Sequence, residues 1–160
     1  MSETKATKKS EENAPLDCPT RRRFPPLLRR AWYGLNQAFR RRLAPLDLTP
    51  DQFTIMRLLT ETDPEGLTQR ELATRMTSDP NTISALLKRM EAQELVERQE
   101  APNDRRALMI CLKPKGKETY LKARELALIL QSEIVKAIPD ERRDQFLEDL
   151  EALAEACKKV

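Results

Sequence analysis

The sequence predicts a mainly α fold with one small β-hairpin, which places it in the α+β class. Apolar residues recur every three or four positions along most of the chain after residue 22, as they do in amphipathic helices. Several of these helical stretches begin with a capping residue or a first-turn proline. Between Leu95 and Pro114 the pattern changes to an alternation that is typical of strands.

The distribution of charge points to a polyanionic partner. The net charge of the 160 residues is only +3, which by itself does not single out nucleic acid. Between Thr20 and Leu43, however, the chain carries eight arginines and no acidic residue. The last helical stretch, from residue 140 onward, is rich in Asp and Glu instead. A basic half and an acidic half suit a molecule that turns one face toward phosphate.

The composition argues against an enzyme, a metal site and a membrane protein. The chain has no histidine and only three glycines, so it lacks the commonest general base and a glycine-rich phosphate loop. Its longest purely apolar run, Leu126–Leu130, is far shorter than a membrane span. The three cysteines, Cys18, Cys111 and Cys157, form no paired motif. We therefore expect a cytoplasmic protein that has no catalytic activity and binds neither a metal nor a cofactor.

The first part of the chain divides into a tail and a helix. Residues 1–22 are polar and basic with few large apolar side chains, so we expect a flexible tail there. Residues 23–46 contain the first helix, which ends at Pro45. The apolar stripe of this helix consists of Leu27, Ala31, Leu35, Ala38 and Phe39.

Residues 47–113 carry the signals of a helix-turn-helix that is followed by a hairpin. Three helix starts follow one another: Thr49-Pro50-Asp51-Gln52, Thr68-Gln69-Arg70-Glu71 and Asp79-Pro80. The second and third helices are joined by a tight turn at Thr77-Ser78. Strands at Val96–Glu100 and Leu108–Leu112 then form a hairpin, and a hairpin in this position is a wing.

The sequence thus predicts a winged helix-turn-helix, with helices on both sides of it. Residues 114–160 form two further helices, which Pro139 separates. The first helix and these last two carry more apolar surface than one small winged domain can cover. We expect this surface to hold a homodimer together, and the alternative is a monomeric satellite bundle.

Polar residues on the third short helix are candidates for DNA contact. The small side chains in its first turn can approach base edges in the major groove, and the cations further along can reach phosphates. The candidates are Asn81, Thr82, Ser84, Lys88 and Arg89. The alternative is that these residues form the solvent-exposed face of an ordinary bundle helix.

The tip of the hairpin carries Asp104-Arg105-Arg106. An arginine on a hairpin tip can enter a narrow minor groove, whose negative potential attracts it. Asp104 can hold the guanidinium of Arg106 in a fixed direction, which lowers the ordering cost on binding. The alternative is an exposed ion pair without a function.

These residues resemble the core of the MarR family of transcriptional regulators. The resemblance lies in Glu71-Leu72-Ala73, in the runs 79–84 and 86–91, in Leu95-Val96, and in Asp104-Arg105-Arg106 followed by Leu112 and Gly116. It covers roughly residues 27 to 155. It implies a homodimeric repressor that binds a pseudo-palindromic operator in double-stranded DNA, with the helix from Pro80 in the major groove and Arg106 in the minor groove.

Two departures from the family pattern concern local structure. Glu94 stands where the family usually has a glycine, so the preceding helix must end without the residue that most easily adopts the left-handed conformation. Lys113 replaces the usual threonine that caps the helix after the wing, which costs about 1 kcal/mol. The N-terminal tail is also longer than is typical.

The resemblance also suggests a small-molecule effector that releases the protein from DNA. Trp32, Phe39, Phe53 and Met56 are candidates for lining its pocket, and the alternative is that they belong to the core. Cys18 lies beside an arginine run that can lower its pKa, and the alternative is an incidental surface thiol. We expect Cys111 and Cys157 to be small core residues.

Two functions from other classes stay open at this point. One is a winged-helix module for protein–protein interaction that does not bind specific DNA. The other is a small enzyme that uses a pair of carboxylates, for which the sequence offers no particular pair.

Overall fold

The computed structural model describes residues 23–62, 66–101 and 104–159, and of residues 101–107 it describes no side chain. The predicted tail (residues 1–22) and Cys18 therefore lie outside the described residues. The chain divides into two compact units, with the boundary between Ala38 and Phe39. The helix-turn-helix, the hairpin and the C-terminal helices all belong to the second unit.

The fold is mainly helical with a small antiparallel sheet, as the sequence predicts. The helices are α1 (Phe24–Leu43), α2 (Pro50–Glu61), α3 (Gln69–Arg75), α4 (Pro80–Ala92), α5 (Pro114–Val135) and α6 (Arg143–Cys157). The strands are β1 (Leu67–Thr68), β2 (Val96–Ala101) and β3 (Asp104–Leu112). Short 3₁₀ turns, Ala44–Leu46 and Asp140–Arg142, follow α1 and precede α6.

The sheet has the order β1–β3–β2, so β3 is its central strand. Strand β2 pairs with β3 from Val96 opposite Leu112 to Ala101 opposite Asp104. Strand β1 places Leu67 opposite Ile110 on the other side of β3. The sequence did not predict β1, because two residues are too few to show an alternating pattern.

One hydrophobic core in the second unit joins α2, α3, α4, the sheet and the first half of α5. Its fully buried side chains include Ile55, Met56, Leu67, Leu72, Ile83, Leu87, Met90 and Ile110. Phe53 lies between two other rings: its centroid is 5.0 Å from that of Phe39, edge to face, and 5.6 Å from that of Tyr120, nearly parallel. Aromatic pairs at these separations stabilise the fold beyond their buried area.

Two of the predicted helix starts, at Thr49 and at Thr68, are capping boxes. Thr49 accepts a hydrogen bond from the backbone amide of Gln52 and Gln52 accepts one from the amide of Thr49, at the start of α2. Thr68 and Glu71 make the same reciprocal pair at the start of α3. These bonds satisfy backbone donors that the first helical turn leaves without partners.

Helix α4 ends in a left-handed residue although it has no glycine there. Glu94 takes φ 60°, the Leu95 amide donates to the Met90 carbonyl at 2.9 Å, and the Glu94 amide donates to the Glu91 carbonyl at 2.9 Å. This is a complete Schellman motif, built on a residue that adopts the conformation less easily than glycine does.

The two departures from the family pattern lie close together in the structure. Lys113 is the N-cap residue of α5 and forms no side-chain capping bond, as expected. Its ammonium instead lies 3.6 Å from the carboxylate of Glu94. Its backbone amide donates to the Leu95 carbonyl at 3.0 Å. The start of α5 is therefore attached to the end of α4 by both main chain and side chain.

Gly116 allows α5 to approach the main chain at Leu95. A Cβ atom at Gly116 would lie 2.0 Å from the carbonyl oxygen of Leu95 and 3.1 Å from a methyl group of Leu112. The neighbour is rigid backbone, so a larger residue forces the helix away from the strand. This close approach is the physical reason for a glycine at this point of the wing signature.

The C-terminal helices expose apolar residues, and here one expectation is wrong. Cys157 is exposed on α6, although the sequence led us to expect a small core residue. Cys111 is half-buried on β3, and burial, with the charge of Glu97 as a second cause, raises the pKa of its thiol. The apolar residues of α6 recur at helical spacing, but none of the residues of α6 is buried in the single chain.

Among the residues that the structure describes, none of the helices combines the length and the apolar character that crossing a bilayer requires.

Gly116→Ala and Gly34→Ala should have opposite effects on stability. Gly116→Ala should lower the free energy of unfolding by about 2–3 kcal/mol, because its methyl group overlaps the Leu95 carbonyl. Gly34→Ala should raise it by about 0.5–1 kcal/mol, because Gly34 is helical and no atom lies within 4 Å of the added Cβ. Urea denaturation at one protein concentration measures both changes, and equal effects of the two substitutions would contradict the close approach at Leu95.

Candidate nucleic-acid interface

The turn between α3 and α4 is held by a second Schellman motif. Thr77 takes φ 51°, and the Ser78 amide donates to the Ala73 carbonyl at 3.0 Å. The side-chain amide of Gln69 donates to the Pro80 carbonyl at 3.3 Å, which connects the two helices across the turn. A β-branched residue with positive φ is strained, so the tight turn itself, and not the local preference of Thr77, sets this conformation.

Helix α4 has one buried face and one exposed face. Ile83, Leu87 and Met90 are completely buried and fix the rotation of the helix about its axis. The predicted contact residues Asn81, Thr82, Lys88 and Arg89 are exposed on the other side, and Ser84 is half-buried. The structure thus brings the five predicted residues onto one helix with their polar groups largely accessible, a geometry that allows insertion into a DNA groove.

Asp79 caps α4 and also orients its first turn, which carries the predicted contact residues Asn81 and Thr82. Its carboxylate accepts hydrogen bonds from the amides of Asn81 (2.9 Å) and Thr82 (3.0 Å). Its other oxygen accepts the hydroxyl proton of Thr82. These bonds, first of all the one from the Thr82 hydroxyl, lower the pKa of Asp79.

The bond to Asp79 limits what the Thr82 hydroxyl can do. A hydroxyl has one proton to donate, and here Asp79 takes it. The oxygen of Thr82 still has lone pairs that can accept. A base edge that hydrogen-bonds to the Thr82 oxygen must therefore offer a donor, which in the major groove means the amino group of adenine or cytosine.

The hairpin forms where the sequence predicts it and is attached to α4. The guanidinium of Arg98 on β2 donates to the carboxylate of Glu91 on α4 at 2.8 Å. Strand β3 begins at Asp104, so the backbone of the predicted Asp104-Arg105-Arg106 group lies next to the hairpin turn. The side chains of these three residues lie outside the described part of the chain, and their role stays a prediction.

A chain of amide hydrogen bonds, which the sequence did not reveal, connects α2 to the end of α4. The side-chain amide of Gln52 donates to the side-chain carbonyl of Gln93 at 2.8 Å. The amide of Gln93 in turn donates to the backbone carbonyl (3.1 Å) and the carboxylate (3.0 Å) of Asp47. Gln52 is only 4% exposed, so these bonds lie in a largely dry environment. The capping-box position of Gln52 was the only signal in the sequence that bears on this chain of hydrogen bonds.

The four residues predicted for an effector pocket are not equivalent in the structure. Phe53 and Met56 lie in the core, Phe39 packs against the core, and Trp32 is 63% exposed. A cavity of about 380 Å³ lies elsewhere in the second unit, near the end of α2 and the start of α5. Its lining includes Thr60, Cys111, Lys117, Tyr120 and Leu121.

The chain matches a protein-family model and is similar to several known transcriptional regulators. The model of the MarR family matches residues 48–108. The transcriptional regulator TtmR of Methylorubrum extorquens is 36% identical over 87 residues, which are 54% of this chain and 44% of TtmR. The transcriptional regulator HosA of Escherichia coli is 27% identical over 127 residues, which are 76% of this chain and 93% of HosA. The chain thus spans less than half the length of TtmR but most of HosA.

Solved structures of a repressor have the same fold. The transcriptional repressor CouR bound to a 23-mer DNA duplex has a TM-score of 0.73 at 30% identity, over 80% of this chain and 89% of that one. CouR from Rhodococcus jostii RHA1 bound to p-coumaroyl-CoA has a TM-score of 0.72 at 28% identity, with the same coverage.

Removing the charge at Asp79 should make the thermal stability of the protein less sensitive to low pH. Because hydrogen bonds lower the pKa of this carboxyl in the folded state, its stabilising effect is complete above its unfolded pKa of about 3.9 and is lost as the pH falls through the lower folded value. Asp79→Asn keeps a capping oxygen but does not titrate. Thermal unfolding between pH 5 and pH 2 should show a smaller loss of stability in this variant, and equal losses would contradict the role of the Asp79 carboxylate.

Proposed function

The chain belongs to the MarR family, and from this premise we propose that it is a sequence-specific DNA-binding transcriptional regulator that acts as a homodimeric repressor. The observation that carries the proposal is the geometry of α4. Its first turn is capped, its apolar side is completely buried, and its exposed side presents Asn81 and Thr82 beside a hairpin. An exposed polar turn at the start of the second helix of a helix-turn-helix is the arrangement that enters the major groove.

The relatives support the same proposal. TtmR and HosA are transcriptional regulators, and CouR is a repressor that has been solved with a DNA duplex. The alternative of an interaction module without DNA binding is not favoured by these relatives. They also support the part of the proposal that assigns no catalytic activity to the chain. A cytoplasmic location belongs to the proposal because a bacterial-type regulator of this class meets its operator there.

The homodimer is proposed from exposed apolar side chains at both ends of the chain. Those on α1 are Leu27, Leu28, Trp32, Tyr33 and Leu35. Those on α5 and α6 are Leu121, Leu128, Ile129, Ile134, Phe146, Leu147 and Leu150. Stripes of this size on solvated helices mark association surfaces, and a second copy of the chain presents the same stripes. Residues 23–46 and 114–160 then form the dimer, and residues 47–113 bind DNA.

An effector site is the third part of the proposal. CouR binds p-coumaroyl-CoA, so a relative with this fold takes a small ligand. Because Phe53 and Met56 are part of the core, we move the proposed site from the predicted pocket to the cavity of about 380 Å³. Its volume lies in the range of small-ligand sites, and its apolar wall at Tyr120 and Leu121 is joined by the cation Lys117.

Selection of duplexes from a random pool at about 150 mM salt tests the function, because generic electrostatic binding is weakened there. A dimer should enrich a pseudo-palindrome whose half-sites are about one helical turn apart. Arg106→Ala should lower affinity for the enriched duplex strongly, whereas binding at wild-type strength would remove Arg106 from the interface. Recovery of no motif would leave a nonspecific binder or an interaction module and would overturn the proposal.

The variants Thr82→Val and Thr82→Ser should differ in their base preference at one position of each half-site. Valine removes the accepting oxygen, so the preference for adenine or cytosine at that position should weaken by about 1 kcal/mol, roughly fivefold. Serine keeps the oxygen and the bond to Asp79, and should keep the wild-type preference. The same duplex selection, repeated on both variants, measures the change. A wild-type preference for a base that offers only acceptors at this position would contradict the hydroxyl geometry.

A further inference from the structure

A groove of about 510 Å³ lies beside the C-terminal end of α4. The last turn of α1 contributes Arg40 to it, and the last turn of α4 contributes Arg89. The groove is also lined by Asp47, Gln52 and Gln93, which make the chain of amide hydrogen bonds described above. The groove therefore carries one arginine from each of two helices, on a lining that also includes the apolar residues Ala44, Leu48 and Ala92.

The other polar groups of the groove are already engaged with one another. The carboxylate of Asp47 accepts from the amide of Gln93, and the carbonyl oxygen of Gln52 accepts from the backbone amide of Thr49. Arg40 and Arg89 are exposed, and neither forms an ion pair with any residue that the structure describes. The neighbouring Arg42 differs, because it is paired with Glu133 at 2.6 Å. The groove thus has two cations available for a ligand and one carboxylate that is hydrogen-bonded internally.

The position of Arg89 on α4 indicates which anion meets the groove. Arg89 follows Asn81 by eight residues, which correspond to about 12 Å along a helix. The major groove of B-DNA is about 12 Å wide. If the first turn of α4 reaches base edges, as the proposed function requires, and the helix crosses the groove, the turn that carries Arg89 lies at the edge of the major groove, where the phosphates are.

We propose that Arg40 and Arg89 together form an oxyanion site that holds a backbone phosphate of the bound duplex, so that the DNA interface extends from α4 to the end of α1. This inference rests on the proposed DNA-binding function. Guanidinium groups suit the purpose because they donate several hydrogen bonds in a fixed fork to phosphate oxygens. The bonds among Gln52, Gln93 and Asp47 are positioning contacts, since they hold the ends of α1 and α4 beside each other.

The salt dependence of duplex binding tests whether the groove holds a backbone phosphate of the DNA. Arg40→Gln should lower the slope of log K against log salt by about 0.9, the value for one phosphate contact in B-DNA, and should weaken every duplex sequence about equally. Arg89→Gln should do the same. Because both arginines hold one phosphate, the double variant should lose less affinity than the product of the two single losses.

Arg41→Gln is the matched control. Arg41 is the next residue of α1, is also exposed and does not line the groove, and its replacement changes the net charge by the same amount. The slope should be unchanged in this variant. Equal slopes for Arg40→Gln, Arg41→Gln and wild type would overturn the assignment of a DNA phosphate to the groove, and so would equal reductions in the two variants.

Titration of the full chain with inorganic phosphate, without DNA, shows whether the site also binds a free oxyanion. The NMR signals of the Nε–H groups of Arg40 and Arg89 report occupancy, and Arg40→Gln should weaken the response of Arg89. A saturable response with unchanged DNA slopes would retain the oxyanion site and assign it to a small anion. No response together with unchanged slopes would overturn the site. If the wild type binds no duplex at all, the proposed function fails, and this titration still decides the site.

Discussion

The position of α4 relative to the rest of the second unit depends on the main chain of one residue, Leu95. Its amide closes the left-handed end of α4, and its carbonyl accepts the amide of Lys113 at the start of α5. The same carbonyl is the atom that a side chain at Gly116 would strike. Because Leu95 is only 3% exposed, an unsatisfied amide or carbonyl there would be costly, so both hydrogen bonds are needed. The end of α4, the start of the hairpin and the start of α5 are therefore joined at one residue.

This junction explains how an exposed helix can present a precise surface. Helix α4 is capped at its start by Asp79 and held at its end by Leu95 and the Gln52–Gln93 bond. The buried residues of α4 fix its rotation. A helix that is held at both ends and along one side loses little entropy when its exposed side binds, so most of the contact energy is available for affinity and specificity.

The helix starts could be predicted well because the interactions that cap a helix involve residues close together in the chain. A capping box is made by residues three positions apart, so Thr49 with Gln52 and Thr68 with Glu71 could be recognised in the sequence. Strand β1 was missed because its two residues show no alternating pattern and only their pairing with β3, more than 40 positions away in the chain, makes them a strand. Cys157 was misplaced because a helical period shows which residues share a face, and does not show whether a second surface covers that face.

The sequence by itself determined the order of elements, the caps and the polar residues Asn81 and Thr82 on α4, because each follows from spacing within one or two helical turns. Only the tertiary structure decided that Gln52 reaches Gln93 and that Gln93 reaches Asp47. Only it placed Arg40 in one groove with Arg89. These relations depend on the relative position of elements distant in the chain and on the direction of side-chain bonds, and core packing sets both of them.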